Sequence, residues 1–381
     1  MNAEEWEAVR TRIAALGRDP DATDIADALR WCGHVVSDAS VLAVAQALHR
    51  DTVGAGPLEP LLALPGVTDV IVNGPRDVYV DTGDGLRTVP VHFGSDEDVR
   101  RLAVRLAACV GRRLDDASPF VDARMADGTR VHAILGSLAD AGTCLSLRVP
   151  ARSRLTLDDW VASGTCHPEV ADVLRRMVAA KVAFLVSGGT GSGKTTLLGS
   201  LLALVPPGDR ILVVEDSREL DPGHPHCVRL EGRVANAEGA GAVTMTQLVR
   251  QALRMRPDRI VVGEVRGAEL VDLLIALNTG HEGGCGTVHA NTAETVPARL
   301  EALAALGGLG REAAHSQIAA AVRAVVHVAR DGGRRRVGEV AVLTRGSGGF
   351  VETRRALEVT AGGRLLRHEG AVELETVLGA T

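Results

Sequence analysis

The chain reads SGGTGSGKTT at residues 187–196, and this stretch fits the pattern G-x-x-x-x-G-K-S/T in full, from Gly188 to Thr195. Residues 182–186 before it form an apolar run of buried-strand length, and residues 196–204 after it carry a helical pattern. A strand, a glycine-rich loop and a helix in this order are the context in which the pattern binds phosphate. This context disfavours the alternative, a glycine-rich turn that binds nothing.

The chemistry of this loop follows from its geometry. Glycines let successive backbone N–H groups point at phosphate oxygens, and the following helix N-terminus adds partial positive charge. Lys194 would reach the β- and γ-phosphates of ATP, and the Thr195 hydroxyl would hold Mg²⁺. The chain has only two lysines, Lys181 and Lys194, among 42 basic residues, so a lysine here indicates a need for a flexible point charge. The predicted nucleotide-binding residues of the loop are Gly188, Gly189, Thr190, Gly191, Ser192, Gly193, Lys194, Thr195 and Thr196.

Composition excludes several classes of protein. Hydrophobic residues make up 46% of the 381 residues but aromatic residues only 2%, so the core must consist of Leu, Val, Ile and Ala. The net charge of -6 gives no general attraction to nucleic acid, and we expect no direct nucleic-acid contact. No apolar run approaches the ~18 residues that span a bilayer, and the N-terminus lacks a basic signal region, so we expect a cytoplasmic protein. Six scattered cysteines without a C-x-x-C pair disfavour a zinc knuckle.

The pattern of apolar residues and turns predicts five segments. These are a helical N-terminal arm (1–53), a small α+β domain (54–150), a linker (151–163), an α/β domain (164–345) and a C-terminal tail (346–381). In the α/β domain strand signals alternate with helices, which favours a mostly parallel sheet with helices on both faces. The Gly/Arg-rich tail shows no detectable chemistry.

Two carboxylates follow apolar strands of the predicted α/β domain. Glu215 comes directly after the run 211–214, at the strand end where α/β folds bind ligands. Glu264 ends a second apolar strand, where a carboxylate suits orienting the water that attacks the γ-phosphate. Gly263 stands where many P-loop enzymes place a metal-binding aspartate. We therefore expect Mg²⁺ to depend on Thr195, on water and, directly or through water, on Glu215.

Two histidines lie eight residues apart in the glycine-rich segment 280–291. Each of them alone could be a satisfied structural residue. Because the segment follows the two carboxylate strands, we interpret His281 and His289 as parts of a phosphate-sensing loop. A zinc site fits poorly, since no third and fourth ligands lie at metal spacing.

Four blocks of sequence together resemble the type II/IV secretion-system ATPase superfamily, and within it the conjugal-transfer-associated Tad/Flp pilus assembly branch. They are the loop at 187–196, VVEDSREL at 213–220, RMRPDRIVVGEVRGAE at 254–269 and NTGHEGGCGTVHAN at 278–291. In that family these blocks are the Walker A, Asp-box, Walker B and His-box elements. The resemblance extends back through GPLEPLL (56–62), TDVIVNGP (68–75) and SPFVDARMADGTRV (118–131), and covers roughly residues 54 to 330.

The resemblance implies a RecA-like P-loop ATPase domain preceded by a small α+β domain, assembled as a hexamer with nucleotide between the domains. It also implies arginines from the small domain that face the γ-phosphate. Residue by residue these fall on Arg124 and Arg130, with Arg148 a weaker match. The chain lacks the four-cysteine metal module of many type II relatives, which supports the Tad or conjugation-like branch.

The expected function is that of a cytoplasmic motor that uses ATP and Mg²⁺. It would move a polytopic inner-membrane platform protein and, indirectly, pilin, with peripheral attachment to the membrane through these partners. The alternative is a DNA-transfer or translocase ATPase on the same core. A small-molecule kinase or a GTPase would need an acceptor lid or an N-K-x-D motif, and the sequence shows neither. A ring scaffold that binds nucleotide but barely turns it over would be excluded only by a rate measurement.

Overall fold

The computed structural model describes residues 3–16, 20–52, 54–83, 85–150, 154–233, 235, 240–331 and 334–379. The chain divides into two compact units, Met1–Ala151 and Arg152–Thr381. Among the residues so described, no helix combines the length and the apolar character needed to cross a membrane.

The first unit begins with three helices, α1 (Ala3–Ala14), α2 (Ala22–Trp31) and α3 (Asp38–Thr52). Asp21 starts α2 with a capping box, in which its carboxylate accepts the N–H of Asp24 while the Asp24 carboxylate accepts the N–H of Asp21. Apolar residues of the three helices, among them Val9, Ile25 and Val44, form a small core of their own.

The rest of the first unit is an antiparallel sheet with one long helix. In chain order the elements are a 3₁₀ helix (Gly56–Leu58), α4 (Glu59–Leu62), β1 (Asp69–Asn73), β2 (Asp77–Asp81), β3 (Leu86–Thr88), α5 (Asp96–Cys109), β4 (Phe120–Arg124), β5 (Arg130–Ile134) and β6 (Cys144–Arg148). The strand order is β3-β2-β1-β6-β5-β4, with every pairing antiparallel. Alternate strand residues are buried against α5, as expected for a sheet with one face on the core.

The second unit alternates strands and helices for most of its length. Its elements are α6 (Leu157–Ala162), α7 (Pro168–Ala179), β7 (Phe184–Gly188), α8 (Lys194–Leu202), β8 (Ile211–Glu215), β9 (Cys227–Glu231), α9 (Met245–Ala252), a 3₁₀ turn (Leu253–Met255), β10 (Arg259–Val265), α10 (Glu269–Leu277), β11 (Cys285–His289), α11 (Val296–Leu306), α12 (Arg311–Ala321), β12 (Ala324–Asp331), β13 (Arg334–Arg345), β14 (Val351–Val359), β15 (Leu365–Arg367) and α13 (Ala371–Gly379).

Nine strands of the second unit form one sheet in the order β15-β14-β13-β12-β7-β11-β10-β8-β9. The six strands from β12 to β9 run parallel, and β13, β14 and β15 add to them antiparallel. One face packs against α6, α7, α8 and α13, and the other against α9 to α12. Cover on both faces explains why β7 and β8 are buried at every position. The α/β class is therefore confirmed.

The segment predicted as a tail belongs to this sheet. Residues 346–381 contain β14, β15 and α13, and β14 pairs with β13 along its length. The sequence of β14, VETRRALEV, hides this role because its charged residues interrupt the apolar alternation. The finer division of the chain into five segments stays a prediction.

Candidate functional site

The carboxyl ends of β7, β8, β10 and β11 meet at one edge of the nine-stranded sheet, which is where parallel α/β sheets bind ligands. The phosphate-loop motif joins β7 to α8 at this edge. Gly193 is the residue before α8 and has a φ of 97°, in the left-handed region that favours glycine. The loop thus turns sharply and presents the N-terminus of α8.

Lys194, the first residue of α8, is buried, with 8% of its surface exposed. Its ammonium group donates a hydrogen bond to the Gly189 carbonyl across the loop, at 2.8 Å. Burial lowers the pKa of Lys194, the nearby Glu264 carboxylate opposes this effect, and Arg266 adds to it. The lysine is therefore a cation held in a partly desolvated position, which strengthens its attraction for a phosphate.

Glu215, the last residue of β8, is almost fully buried at the same edge. Its Oε1 accepts the backbone N–H groups of Glu219 and Leu220, at 3.0 and 2.9 Å. Its Oε2 is buried and has no hydrogen-bond partner among the residues that the structure describes. Burial raises the pKa of Glu215 to about 7, although the two backbone hydrogen bonds oppose this rise. A buried oxygen without a partner leaves room for a cation or a water molecule.

Gly263 on β10 explains how Glu215 is accommodated. Val262 lies beside Val214 in the parallel register, so Gly263 neighbours Glu215. A Cβ at position 263 would lie 2.5 Å from the Glu215 Cγ and 3.0 Å from its Oε1. The Glu215 side chain therefore fills the space that an aspartate on β10 would need. In this chain the carboxylate comes from the neighbouring strand.

Glu264 is held by an arginine that we did not single out from the sequence. The Arg266 guanidinium donates to Glu264 Oε2 at 2.7 Å and to Asp216 Oδ2 at 2.8 Å. The hydrogen bond that Arg266 donates to Glu264 is the largest cause that raises the pKa of Arg266. Glu264 keeps 27% of its side chain exposed, and its Oε1 makes no hydrogen bond with the residues that the structure describes. Thr195, Glu215, Gly263 and Arg266 line the same small cleft.

The two predicted histidines are not brought together. His289 ends β11 next to Gly188 in the register of β11 and β7, so it lies beside the phosphate loop and is exposed. His281 precedes β11 and its Nδ1 lies 3.2 Å from the Ala276 carbonyl at the end of α10. The intervening strand separates the two residues by about 13 Å of extended chain. The expectation of one loop that contains both histidines is therefore corrected, and only His289 lies at the phosphate-loop edge.

The three predicted arginines lie in one row of the first unit. Arg124 on β4 pairs with Arg130 on β5, and Arg130 pairs with Arg148 on β6, so all three share one face of the antiparallel sheet. Arg148 Nε donates to Asp69 Oδ1 at 3.1 Å. Residues that are 24 positions apart in sequence thus form one cationic row.

A buried pair behind the loop also escaped the sequence analysis. Ser187 Oγ and His327 Nδ1 lie 3.0 Å apart and join β7 to β12 directly before the loop. Burial lowers the pKa of His327, and the charges of Arg336 and Lys194 add to the effect. His327 is therefore kept neutral, and it ties the strand before the loop to its neighbour.

The chemistry of the cleft fits ATP with Mg²⁺. Hydroxyl and carboxylate oxygens are the ligands that Mg²⁺ prefers, and Thr195 and Glu215 offer them beside a loop that binds phosphate. The buried Oε2 of Glu215 is the atom that most needs such a partner. Among the described residues no three His, Cys, Asp or Glu side chains converge to hold a metal by themselves. Mg²⁺ is usually held by one or two protein ligands together with substrate phosphates and water.

A family model described as "Type II/IV secretion system protein" matches residues 51–370. A Mycobacterium tuberculosis protein, whose name assigns it provisionally to conjugal transfer, is 56% identical over 321 residues, which cover 82% of this chain and 91% of the relative. The type IV secretion system protein PtlH of Bordetella pertussis is 31% identical over 313 residues, which cover 74% of this chain and 92% of PtlH.

Two solved structures share the fold. The ATPase DotB of Legionella pneumophila matches with a TM-score of 0.51 at 18% identity, over 85% of each chain. The pilus retraction motor PilT, solved with bound ADP, matches with a TM-score of 0.51 at 20% identity, over 83% of each chain.

Proposed function

Because this chain belongs to the family of type II/IV secretion system proteins, we propose that it is the ATP-hydrolysing motor of a Tad/Flp-type pilus or a related secretion machine. The observation that carries the proposal is the convergence of Lys194, Thr195, Glu215 and Glu264 at one edge of the sheet. A phosphate chain and one water molecule would account for all of these groups without a small-molecule acceptor.

Each residue has a role in the proposed reaction. Lys194 and the α8 N-terminus bind the phosphates and hold the developing charge. Glu264 orients the attacking water with the oxygen that Arg266 does not occupy, and Arg266 fixes the position of the carboxylate. Thr195 and Glu215 would hold Mg²⁺ between them. When bound, Mg²⁺ neutralises phosphate charge and makes the γ-phosphate easier to attack.

The motor role requires that nucleotide turnover moves something. We propose a RecA-like core in a homohexamer at the cytoplasmic face of the membrane, in which ATP binding and hydrolysis drive a polytopic platform protein and, through it, pilin. Support comes from the family match and from the fold shared with DotB and PilT. His289, beside Gly188, is the residue that we propose to sense the γ-phosphate.

The arginine row of the first unit is the proposed source of the remaining positive charge. A planar guanidinium offers paired donors to γ-phosphate oxygens and stays charged, which suits a group that acts in the transition state. Register places Arg124, Arg130 and Arg148 side by side, as a shared anion site requires. Residues 54–150 would then be part of the catalyst.

Steady-state hydrolysis measured against protein concentration, with sedimentation, tests the ring and the arginines together. Arg124→Ala and Arg130→Ala should bind ATP nearly normally, still assemble, and hydrolyse slower by on the order of 10³. Turnover of the intact chain should rise more than linearly with concentration as rings form. A monomeric 152–381 fragment that hydrolyses ATP at the full rate would contradict both the ring and the arginine assignment.

A second candidate is a DNA-transfer ATPase, because a relative at 35% identity over 230 residues is the conjugal transfer protein TrbB of Rhizobium radiobacter. The net charge of -6 and the 2% of aromatic residues oppose direct DNA contact, since single-strand channels use basic grooves with stacking rings. Binding of single-stranded DNA at several salt concentrations separates the two. Tight binding that weakens steeply with salt would favour the DNA-transfer function.

A further inference from the structure

A hairpin of arginines lies beside the phosphate loop on the side away from the carboxylates. β12 pairs with β7 in parallel register, with Val328 next to Gly188, so the residues after Val328 continue past the strand end alongside the loop. β13 returns antiparallel, and Arg335 pairs with Arg330. Arg330 and Arg335 thus lie beyond the end of β7, alongside the phosphate loop.

Alternation along the two strands puts Arg330 and Arg335 on the face of the sheet that carries α8. Val328 and Val337 are buried in the core that includes Leu197 of α8, and Arg330 and Arg335 each lie two residues further along the same face. A Cβ at Gly191 would lie 3.5 Å from Arg330 Nη1. A Cβ at Gly193 would lie 3.5 Å from Arg335 Cδ. Both side chains therefore touch the loop itself.

These two arginines are exposed, and within the described part of the chain neither guanidinium forms an ion pair with a carboxylate. In contrast, Arg266 on the other side of the loop is bound to two carboxylates. The hairpin therefore offers planar cations whose hydrogen-bonding edges and flat faces are available to a ligand.

The order of the strands decides which end of a nucleotide would reach this hairpin. Glu264 on β10 and Glu215 on β8 mark the γ-phosphate end, and both strands lie on the β11 side of β7. β12 lies on the opposite side of β7. A nucleotide that lies along this edge with its γ-phosphate at the carboxylates would direct its nucleoside toward β12 and the hairpin.

The second unit has little else against which a base could stack. Its aromatic residues are Trp160, Phe184 and Phe350, and the first two are buried. Trp160 packs against the loop near Gly193. Phe350 packs against His315 and Arg311. A guanidinium plane can replace an aromatic ring as a stacking surface for a base.

We propose that Arg330 and Arg335 form the nucleoside-binding side of the phosphate-loop site, with a guanidinium plane against the purine base of ATP or ADP. This inference rests on the proposed ATPase function. Because the base does not change during hydrolysis, its contact contributes equally to ground state and transition state. Loss of the contact should therefore raise the KM for ATP more than it lowers the rate at saturating ATP.

The test measures binding of ATP, ADP and inorganic tripolyphosphate to the full chain and to Arg330→Ala, Arg335→Ala and the double variant. Arg334→Ala is the matched control, because it removes the same charge from the next position, whose side chain alternates to the other face. We expect ATP and ADP to bind on the order of 3- to 30-fold more weakly to the variants, with tripolyphosphate and the control unchanged. Arg→Lys should restore only part of the affinity, since a lysine has no plane.

Three results would overturn the inference. Unchanged ATP affinity in the double variant would show that the arginines do not contact the nucleotide. An equal loss of affinity for tripolyphosphate would show that they bind the phosphates and not the base. An equal loss of ATP affinity in Arg334→Ala would show that the effect comes from the loss of a positive charge near the site and not from a contact with the base. In each of these cases the wild-type chain still binds ATP, so the proposed ATPase function survives. A wild-type chain that binds no ATP would overturn the proposed function and this inference with it.

Discussion

The chain has only two lysines, and they lie at opposite edges of the same sheet. Lys181, before β7, lies at the amino-end edge with a φ of 50°, and its ammonium lies 3.7 Å from Asp209. Asp209 also pairs with the buried Arg259 at 3.3 Å. Lys194, after β7, is buried at the carboxyl-end edge and donates to a backbone carbonyl of its own loop.

The charged residues at the two edges of the sheet differ in role: those at the amino-end edge pair with one another, and those at the carboxyl-end edge surround the proposed ligand site. At the amino-end edge Asp209, which precedes β8, pairs with Arg259 at the start of β10 and with Lys181 before β7, although Arg259 Nη2 is buried without a hydrogen-bond partner among the described residues. At the carboxyl-end edge four carboxylates, Glu215, Asp216, Glu219 and Glu264, gather beside Lys194 and Arg266. One of these carboxylates keeps a buried oxygen without a partner among the described residues. Such an arrangement costs folding free energy, which is typical of a site kept for a ligand.

The largest expected effect is that of exchanging Lys194. Lys194→Ala should abolish ATP turnover and weaken ATP binding, because the phosphates lose their nearest counter-charge. Lys194→Arg should also fail, since a planar fork does not fit the loop. Lys181→Ala is the matched control, and it should leave turnover unchanged and alter stability by less than about 1 kcal/mol. Steady-state hydrolysis and equilibrium ATP binding measure all three.

Equal loss of activity in Lys181→Ala and Lys194→Ala would contradict the claim that only the carboxyl-end edge takes part in ATP turnover. Full activity in Lys194→Ala would remove the basis of the proposed ATPase. A folded state equal to that of wild type, checked by circular dichroism and sedimentation, is required of each variant.

A smaller effect is expected at Glu264. Glu264→Gln keeps the shape of the side chain but removes the charge that orients water, so ATP binding should persist while hydrolysis slows by on the order of 10² to 10⁴. Glu282→Gln is the control from the other edge, because Glu282 is exposed before β11. A single-turnover measurement separates hydrolysis from product release. Glu264 is not the water-orienting group if its variant hydrolyses ATP as fast as the control does.

The smallest effect is a change of stability with pH at Glu215. Its pKa of about 7 means that the folded state keeps a proton which the unfolded chain releases near the ordinary value of 4.5. Stability is therefore lost as pH rises from about 4.5 through about 7, by roughly 3 kcal/mol at most. Glu215→Gln should lack this loss, and should slow hydrolysis less than Glu264→Gln does. Urea unfolding at pH values below 4.5 and above 7 measures the free energy of unfolding of both proteins. The same change with pH in wild type and in Glu215→Gln would contradict this prediction.

Patterns within a single segment made much of the fold predictable. The apolar run 211–214 predicts a strand with Glu215 at its end, and β8 is found at Ile211–Glu215; the strand predicted to end in Glu264 extends one residue further, to Val265. Buried parallel strands read as continuous apolar runs, so their ends and the residues that follow are visible in the sequence. This is why Lys194, Thr195, Glu215 and Glu264 were identified as one group.

Contacts between segments were harder to predict. Arg266 follows Glu264 by two residues, a spacing that puts both on one face of an extended chain, and this signal was available. The pairing of Arg330 with Arg335 depends on the hairpin, and its place beside Gly191 depends on β12 adding next to β7. His281 and His289 appeared as a pair because sequence spacing does not reveal that a buried strand separates them.

The contact between Gly263 and the Glu215 side chain has a consequence for how such chains vary. Positions 215 and 263 share room for one carboxylate, so a large residue at one requires a small residue at the other. A homologue with aspartate on the second strand should carry a shortened side chain on the first, and the two substitutions should arise together. The sequence motif of this site therefore spans both strands. A motif search that looks for an acidic residue on each strand separately would miss it.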